Sequence, residues 1–164
     1  MPDARLFLKA KELSQPSVAE HLRRRFAAHG VADERLILEG PSPRLAYFSA
    51  YDRVDLALDP FPYPGGTTST EGLWMGVPVV TMRGTRFLSH LGECVAHNAG
   101  QAAWIARDDD DYLQKAVAFA ADVPALARLR QGLRAQVLAS PLFDGPRFAR
   151  AFEDAMGRMW RRRR

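Results

Sequence analysis

One stretch constrains this chain more than any other: Asp59 to Thr81, DPFPYPGGTTSTEGLWMGVPVVT. Arg53 to Leu58 reads as a short buried strand that stops at Asp59-Pro60, and a Pro/Gly loop follows through Gly66. Thr67-Thr68-Ser69-Thr70-Glu71 opens a short helix that ends at Gly76, and Val77 to Met82 is the next strand. Strand, loop, helix and strand make the unit from which parallel α/β sheets are built. Ligands of such sheets sit outside the carboxyl ends of the strands, where this loop lies.

The residue types in the loop point to an anion. Gly65 and Gly66 carry no Cβ, so a ligand can approach their backbone closely. Thr67 and Thr68 follow with hydroxyls and amide N–H groups at a helix start, where the macrodipole favours phosphate. Glu71 lies one turn further on and can accept hydrogen bonds from a ribose diol. Thr68-Ser69-Thr70-Glu71 also fits a capping box, in which the hydroxyl and the carboxylate satisfy backbone amides instead. The two readings are compatible, since a capped helix start can still hold a phosphate.

The rest of the chain extends the same pattern. Arg5 to Lys9 is a first strand. Pro16 to His29 is a helix with Val18, Leu22 and Phe26 on one face, Pro16 in its first turn and Gly30 at its end. Arg35 to Leu38 is a second strand, Gly40-Pro41-Ser42-Pro43 a break, and Arg44 to Tyr51 a helix on which Leu45, Phe48 and Tyr51 share a face and Tyr47 is offset. Leu56 to Leu58 and Val79 to Met82 are the third and fourth strands, Phe87 to Asn98 a helix closed by Gly100, and Ala102 to Ala106 a short fifth strand. Asp108 to Asp111 lack the alternating ligands and the glycine of a calcium loop, so they are read as the acidic opening of a helix over Tyr112 to Ala121. Pro124 to Ser140 and Pro146 to Trp160 are further helices, and Phe148, Phe152, Met156 and Met159 on the last form a stripe expected in the core. The fold class is therefore α/β, a parallel sheet of about five strands with helices on both faces, in one domain spanning residues 1–164.

Composition excludes several classes. The 164 residues are 47% hydrophobic and 26% charged, ordinary for a globular domain. No apolar run approaches the ~20 residues of a membrane-spanning helix. The single cysteine, Cys94, excludes an internal disulfide framework, suits a reducing cytoplasm, and is expected as a small core residue. The net charge of +4 is concentrated in Arg161 to Arg164 and in Arg23-Arg24-Arg25. No aromatic residues are interleaved with these arginines to stack bases, which argues against nucleic acid as a partner.

The run Phe61-Pro62-Tyr63-x-Gly65-Gly66-Thr67-Thr68-x-x-Glu71-x-Leu73-Trp74-Met75-Gly76-Val77-Pro78-Val79-Val80-Thr81 closely resembles the nucleotide-binding motif of the SPINDLY-type O-linked N-acetylglucosamine transferases. Ser140-Pro141-Leu142-Phe143-Asp144 resembles the family's segment before its last helix, and the resemblance covers roughly Leu6 to Trp160. It implies the Rossmann-like, C-terminal lobe of an inverting GT-B glycosyltransferase that uses a UDP-sugar and no metal. Ser42, Pro43 and Arg44 match a segment contacting the uracil edge, and Tyr47 matches a position that packs on the base. Tyr47 alone reads equally well as a tyrosine on an amphipathic helix. Gly65 and Gly66 match the phosphate loop, although animal members carry a histidine where Gly66 stands. Thr67 and Thr68 match the diphosphate contacts, and Glu71 matches an acidic residue that binds the ribose.

A lysine that contacts the diphosphate in the family lies upstream of the strand matching Arg5 to Lys9, and Lys9 and Lys11 come too late to match it. The chain is accordingly expected to be part of a longer enzyme, to bind UDP weakly, to transfer no sugar by itself, and to associate as a homodimer through an unpaired strand edge. No residue is assigned as the catalytic base. Two further classes stay open: a stand-alone nucleotide-binding or protein-interaction module without catalysis, and a protein that binds nucleic acid through its arginines.

Overall fold

The computed structural model describes residue 1 and residues 3–162. The last two arginines of the basic tail lie outside the described residues. Within them the chain divides into two compact units, Met1–Val54 and Asp55–Arg164.

The first unit is built on two parallel strands, β1 (Leu6–Lys9) and β2 (Leu36–Glu39), in the register Leu6 to Leu36 and Lys9 to Glu39. Helix α1 (Pro16–Ala28) makes the crossover, with Pro16 in its first turn, where a missing N–H costs nothing. Val18, Leu22 and Phe26 are the partly buried positions of its apolar face, as their spacing predicts. Helix α2 (Arg44–Ser49) is shorter than expected and continues as a 3-10 turn over Ala50–Arg53. Leu45 stands exposed on it, apart from its half-buried neighbours Phe48 and Tyr51.

The second unit holds three parallel strands, β3 (Ala57–Leu58), β4 (Val79–Met82) and β5 (Ile105–Ala106), in that order. Strand β3 is only two residues long, since the 3-10 turn takes Arg53 and residues 54–56 join no ladder. The expected fifth strand likewise shrinks, since Ala102–Trp104 coil into a 3-10 turn that seats Trp104 against Phe119, ring centroids 4.0 Å apart. Among the described residues every ladder is parallel, as expected, with a pair of strands in the first unit and a triplet in the second.

Alternation along β4 explains the layers of this unit. Successive strand residues face opposite sides. Val79 packs with Leu73, Val95, Ala99, Leu133 and Val137, while Val80 packs with Trp104 and Leu126. Helices α3 (Thr67–Trp74) and α4 (Leu91–Asn98) thus cover one face and α5 (Asp109–Ala121) the other; α6 (Val123–Leu138) contributes to both. Asp108 caps α5 by accepting from the Asp111 N–H at 2.8 Å, and Asp109, Asp110 and Asp111 fill its first turn, as expected of acidic residues that open a helix. Gly30, Gly76 and Gly100, each just beyond a helix, have φ of 74°, 78° and 73°, the left-handed conformation that ends helices.

Three expectations about burial are corrected. The segment Arg53 to Leu58, expected as a buried strand, contains no buried residue, and Leu58 is 48% exposed. Cys94 is exposed, because α4 turns Gly92, Val95, Ala96 and the adjoining Ala99 inward and leaves position 94 on the opposite side. The stripe on α7 (Gly145–Arg161) is not core either: Phe148 is 69% exposed, and Phe152, Met156 and Met159 are exposed with it. Helical spacing identifies an apolar face but says nothing about what covers it. No described helix is long and apolar enough to cross a membrane.

Candidate functional site

In the second unit the site grows from the carboxyl end of β3. Asp59 continues the ladder, donating its N–H to Val80 O at 2.8 Å, and its side chain then turns inward until only 4% of the residue is exposed. Its Oδ1 accepts from the Gly65 N–H at 2.7 Å and from the Ser69 hydroxyl at 3.2 Å; its Oδ2 accepts from the Thr81 hydroxyl at 2.8 Å. The Tyr112 hydroxyl donates to the Asp59 carbonyl at 2.9 Å. Burial raises the carboxyl pKa above its ordinary value, and the three hydrogen bonds oppose that rise. Tyr112 is raised too, by its own burial first and by the charge of Asp59 second.

These bonds fold the loop over residues 60–66 and deliver it to α3. Gly65 is required there for space: a Cβ would lie 2.4 Å from Ser69 Oγ and 2.7 Å from Thr68 Oγ1. Gly66 is the N-cap of α3 and offers no side chain to cap it. The helix ladder begins with the Thr70 N–H donating to Gly66 O at 3.1 Å, and the Thr70 hydroxyl donates to the same carbonyl at 3.0 Å. Thr67 and Thr68 occupy the exposed first turn, ahead of the amides that enter the ladder. Because Gly66 is the N-cap and Thr67 is already helical, Thr68 stands inside the helix rather than at its cap. The half-buried Glu71 follows in the second turn. Gly65, Gly66, Thr67, Thr68 and Glu71 are thus brought together at one helix start.

The first unit holds the other predicted residues: Ser42, Pro43, Arg44 and Tyr47 surround the start of α2. Arg44 sits with its guanidinium 5.3 Å from the Phe48 ring centroid, and the half-buried Tyr47 shares a 2.9 Å hydroxyl contact with Tyr51. The Ser42 hydroxyl is buried and has no hydrogen-bond partner among the described residues. A pocket of about 400 Å³ opens beside it, lined by Lys9, Glu39, Ser42, Ser49 and Arg53 among others. Lys9 Nζ donates to Glu39 at 3.2 Å and to Gly40 O at 3.0 Å, and Arg53 holds the other Glu39 oxygen at 2.7 Å. Arg53, and then Lys9, keep the Glu39 pKa below the ordinary carboxylate range.

Sequence reasoning missed three of these residues. It took Asp59 only as a strand stop and Lys9 only as a poor match to a phosphate-binding lysine, and it gave Arg53 no role. The available clue was positional: Asp59 and Glu39 are carboxylates at the carboxyl ends of parallel strands. His90 Nδ1 lies 2.6 Å from Glu93, as befits a histidine held in structure. Among the described residues no three His, Cys, Asp or Glu side chains are grouped to hold a metal ion.

Comparison with known proteins gives this geometry a context. The model of glycosyl transferase family 41 matches residues 2–152. The chain is 34% identical over 99% of its length to the probable UDP-N-acetylglucosamine–peptide N-acetylglucosaminyltransferase SPINDLY of Arabidopsis thaliana, and 37% identical over 99% to that of Oryza sativa subsp. japonica. It spans 18% of the length of each of these relatives. Among solved structures it is similar to a mutant O-GlcNAc transferase of Thermobaculum terrenum, with a TM-score of 0.91 and 40% identity, over 98% of this chain and 31% of that one. The α/β architecture read from the sequence is therefore shared with a structurally characterised transferase.

Proposed function

We propose, from the premise that the chain belongs to glycosyl transferase family 41, that it binds a UDP-sugar and serves the transfer of N-acetylglucosamine or a related sugar to Ser or Thr of an acceptor protein. The relatives' names supply the donor and the peptide acceptor. The observation that carries the reading is the exposed start of α3, where Thr67 and Thr68 follow two glycines in a loop tied down by a buried carboxylate. Donors fixed in advance at a helix N-terminus suit a diphosphate, whose negative charge grows as it departs.

In this reading the amides and hydroxyls of Thr67 and Thr68 take the diphosphate, Glu71 the ribose diol, and Gly65 and Gly66 admit the phosphates to the backbone. Ser42, Pro43 and Arg44 take the uracil edge, and Tyr47 packs on the base. The orphaned Ser42 hydroxyl supports a polar ligand there, since buried polar groups are rarely left without a partner. Transfer would proceed with inversion: the acceptor hydroxyl attacks the anomeric carbon and releases its proton to solvent, the bond from that carbon to the phosphate oxygen breaks, and UDP leaves with that oxygen. No metal is assigned a role, and no residue of this chain is assigned as the base. The reading also takes the setting as cytoplasmic and includes a homodimer formed through the open edge of β1, whose one ladder partner among the described residues is β2.

Isothermal calorimetry tests the donor. UDP should give saturable heat, with CMP and GMP as controls that give little. Absence of heat and of amide shift changes at millimolar UDP would overturn the reading. Light scattering tests the dimer, and a monomer's mass at micromolar concentration would remove it.

A further inference from the structure

Asp59 is a buried carboxylate with no cationic partner among the described residues. Removing such a group from water is costly unless hydrogen bonds replace its hydration. Here they do, and every one of the three donors comes from an element that frames the anion-holding turn: the Gly65 N–H from the loop, the Ser69 hydroxyl from α3 and the Thr81 hydroxyl from β4. The geometry is also enforced from behind. Helix α4 passes so close at Gly92 that a Cβ there would stand 2.1 Å from Thr81 Oγ1 and 2.5 Å from Asp59 Oδ2.

We propose that Asp59 is a positioning residue for diphosphate binding: it fixes the loop at Gly65 and the first turn of α3 at Ser69, and so aims the donors of Thr67 and Thr68 at the ligand. The inference rests on the UDP-binding reading and adds a division of labour to it. The Gly65 N–H is occupied by Asp59 and is withheld from the ligand. Gly65 therefore serves by leaving room, and the donors for the diphosphate come from the residues after it. Gly92 belongs to the same device from a helix outside the turn, because its bare backbone leaves Asp59 and Thr81 their places.

The test compares Asp59→Asn, Thr81→Val and Gly92→Ala with the unaltered chain. The probes are UDP, inorganic diphosphate and uridine, with hydrogen exchange of the Gly65 amide measured alongside. Affinity for UDP and for diphosphate should fall about tenfold in Asp59→Asn, the size expected when one hydrogen bond to a charged group is lost. Uridine affinity should not move, and Gly65 exchange should accelerate while core amides stay protected. Thr81→Val should show the same pattern more weakly, and it stands in if Asp59→Asn does not fold. A parallel loss of uridine binding would reduce Asp59 to a general stabiliser and overturn the proposal. Unchanged diphosphate affinity or unchanged Gly65 exchange would overturn it as well. If the unaltered chain binds no UDP, the proposed function fails by that result. Gly65 exchange then still decides whether Asp59 holds the turn.

Discussion

Two carboxylates do the same mechanical task in the two units by opposite physics. Glu39 ends β2 and holds Lys9, which in turn reaches the Gly40 carbonyl of the loop that follows, whereas Asp59, just past β3, bonds the Gly65 N–H of its loop directly. Glu39 lies partly in solvent and is held by two cations, Lys9 and Arg53, which lower its pKa. Asp59 is buried, held by three neutral donors, and its pKa is raised. An ion pair near water is adjustable and worth little, whereas a buried hydrogen-bonded carboxylate is costly to disturb and so fixes geometry more firmly. The turn assigned to the diphosphate has the rigid anchor; the loop assigned to the base has the softer one.

The largest expected effect breaks the rigid anchor outright. Asp59→Ala would leave the Gly65 N–H and two hydroxyls without their acceptor in a buried place. A loss of about 3 kcal/mol of stability follows from the usual cost of orphaned buried groups, read from urea denaturation. Next in size is the double change Thr67→Val with Thr68→Val. UDP affinity should fall by about 1.5–3 kcal/mol, the range for charge-assisted hydrogen bonds, while the melting temperature moves little. A collapsed melting temperature with unchanged affinity would make the threonines mere parts of the helix start.

Breaking the soft anchor should cost less. Glu39→Gln is expected to cost about 0.2–1 kcal/mol, as exposed ion pairs do, and the cost should shrink in high salt. The smallest effects are in the pH profile, and their signs differ. The folded pKa of Glu39 lies below its ordinary 4.5, so its contribution is present above pH 4.5 and is lost as pH falls through the depressed value. The folded pKa of Asp59 lies above its ordinary 3.8, so ionising it costs stability. That cost is absent below pH 3.8, grows as pH rises through the folded value, and is constant beyond. Urea midpoints against pH should show the acid-side loss removed by Glu39→Gln and the slope above pH 3.8 removed by Asp59→Asn.

The sequence made local features legible and left distant ones hidden. The strand–loop–helix run around Gly65, the glycines that close helices and the acidic opening of α5 were readable because each depends on residues a few positions apart. Asp59 was not, because its partners lie 6, 10 and 22 residues away and form no periodic pattern. Cys94 and the stripe on α7 misled in the same way. Hydrophobic character assigned them to a core, but burial depends on which neighbours the tertiary fold supplies. The resemblance to a transferase family located the residues at the start of α3 but not the carboxylate behind them, because matching a motif reports its members and not what holds it in place.

The most direct measurement is a UDP titration followed through the backbone amide shifts of the chain and of the Thr67→Val, Thr68→Val double variant. Saturable shifts are expected at the amides of Gly66 to Glu71 in the first and their loss in the second. No shift there at millimolar UDP, or equal shifts in both proteins, would contradict the UDP-binding reading.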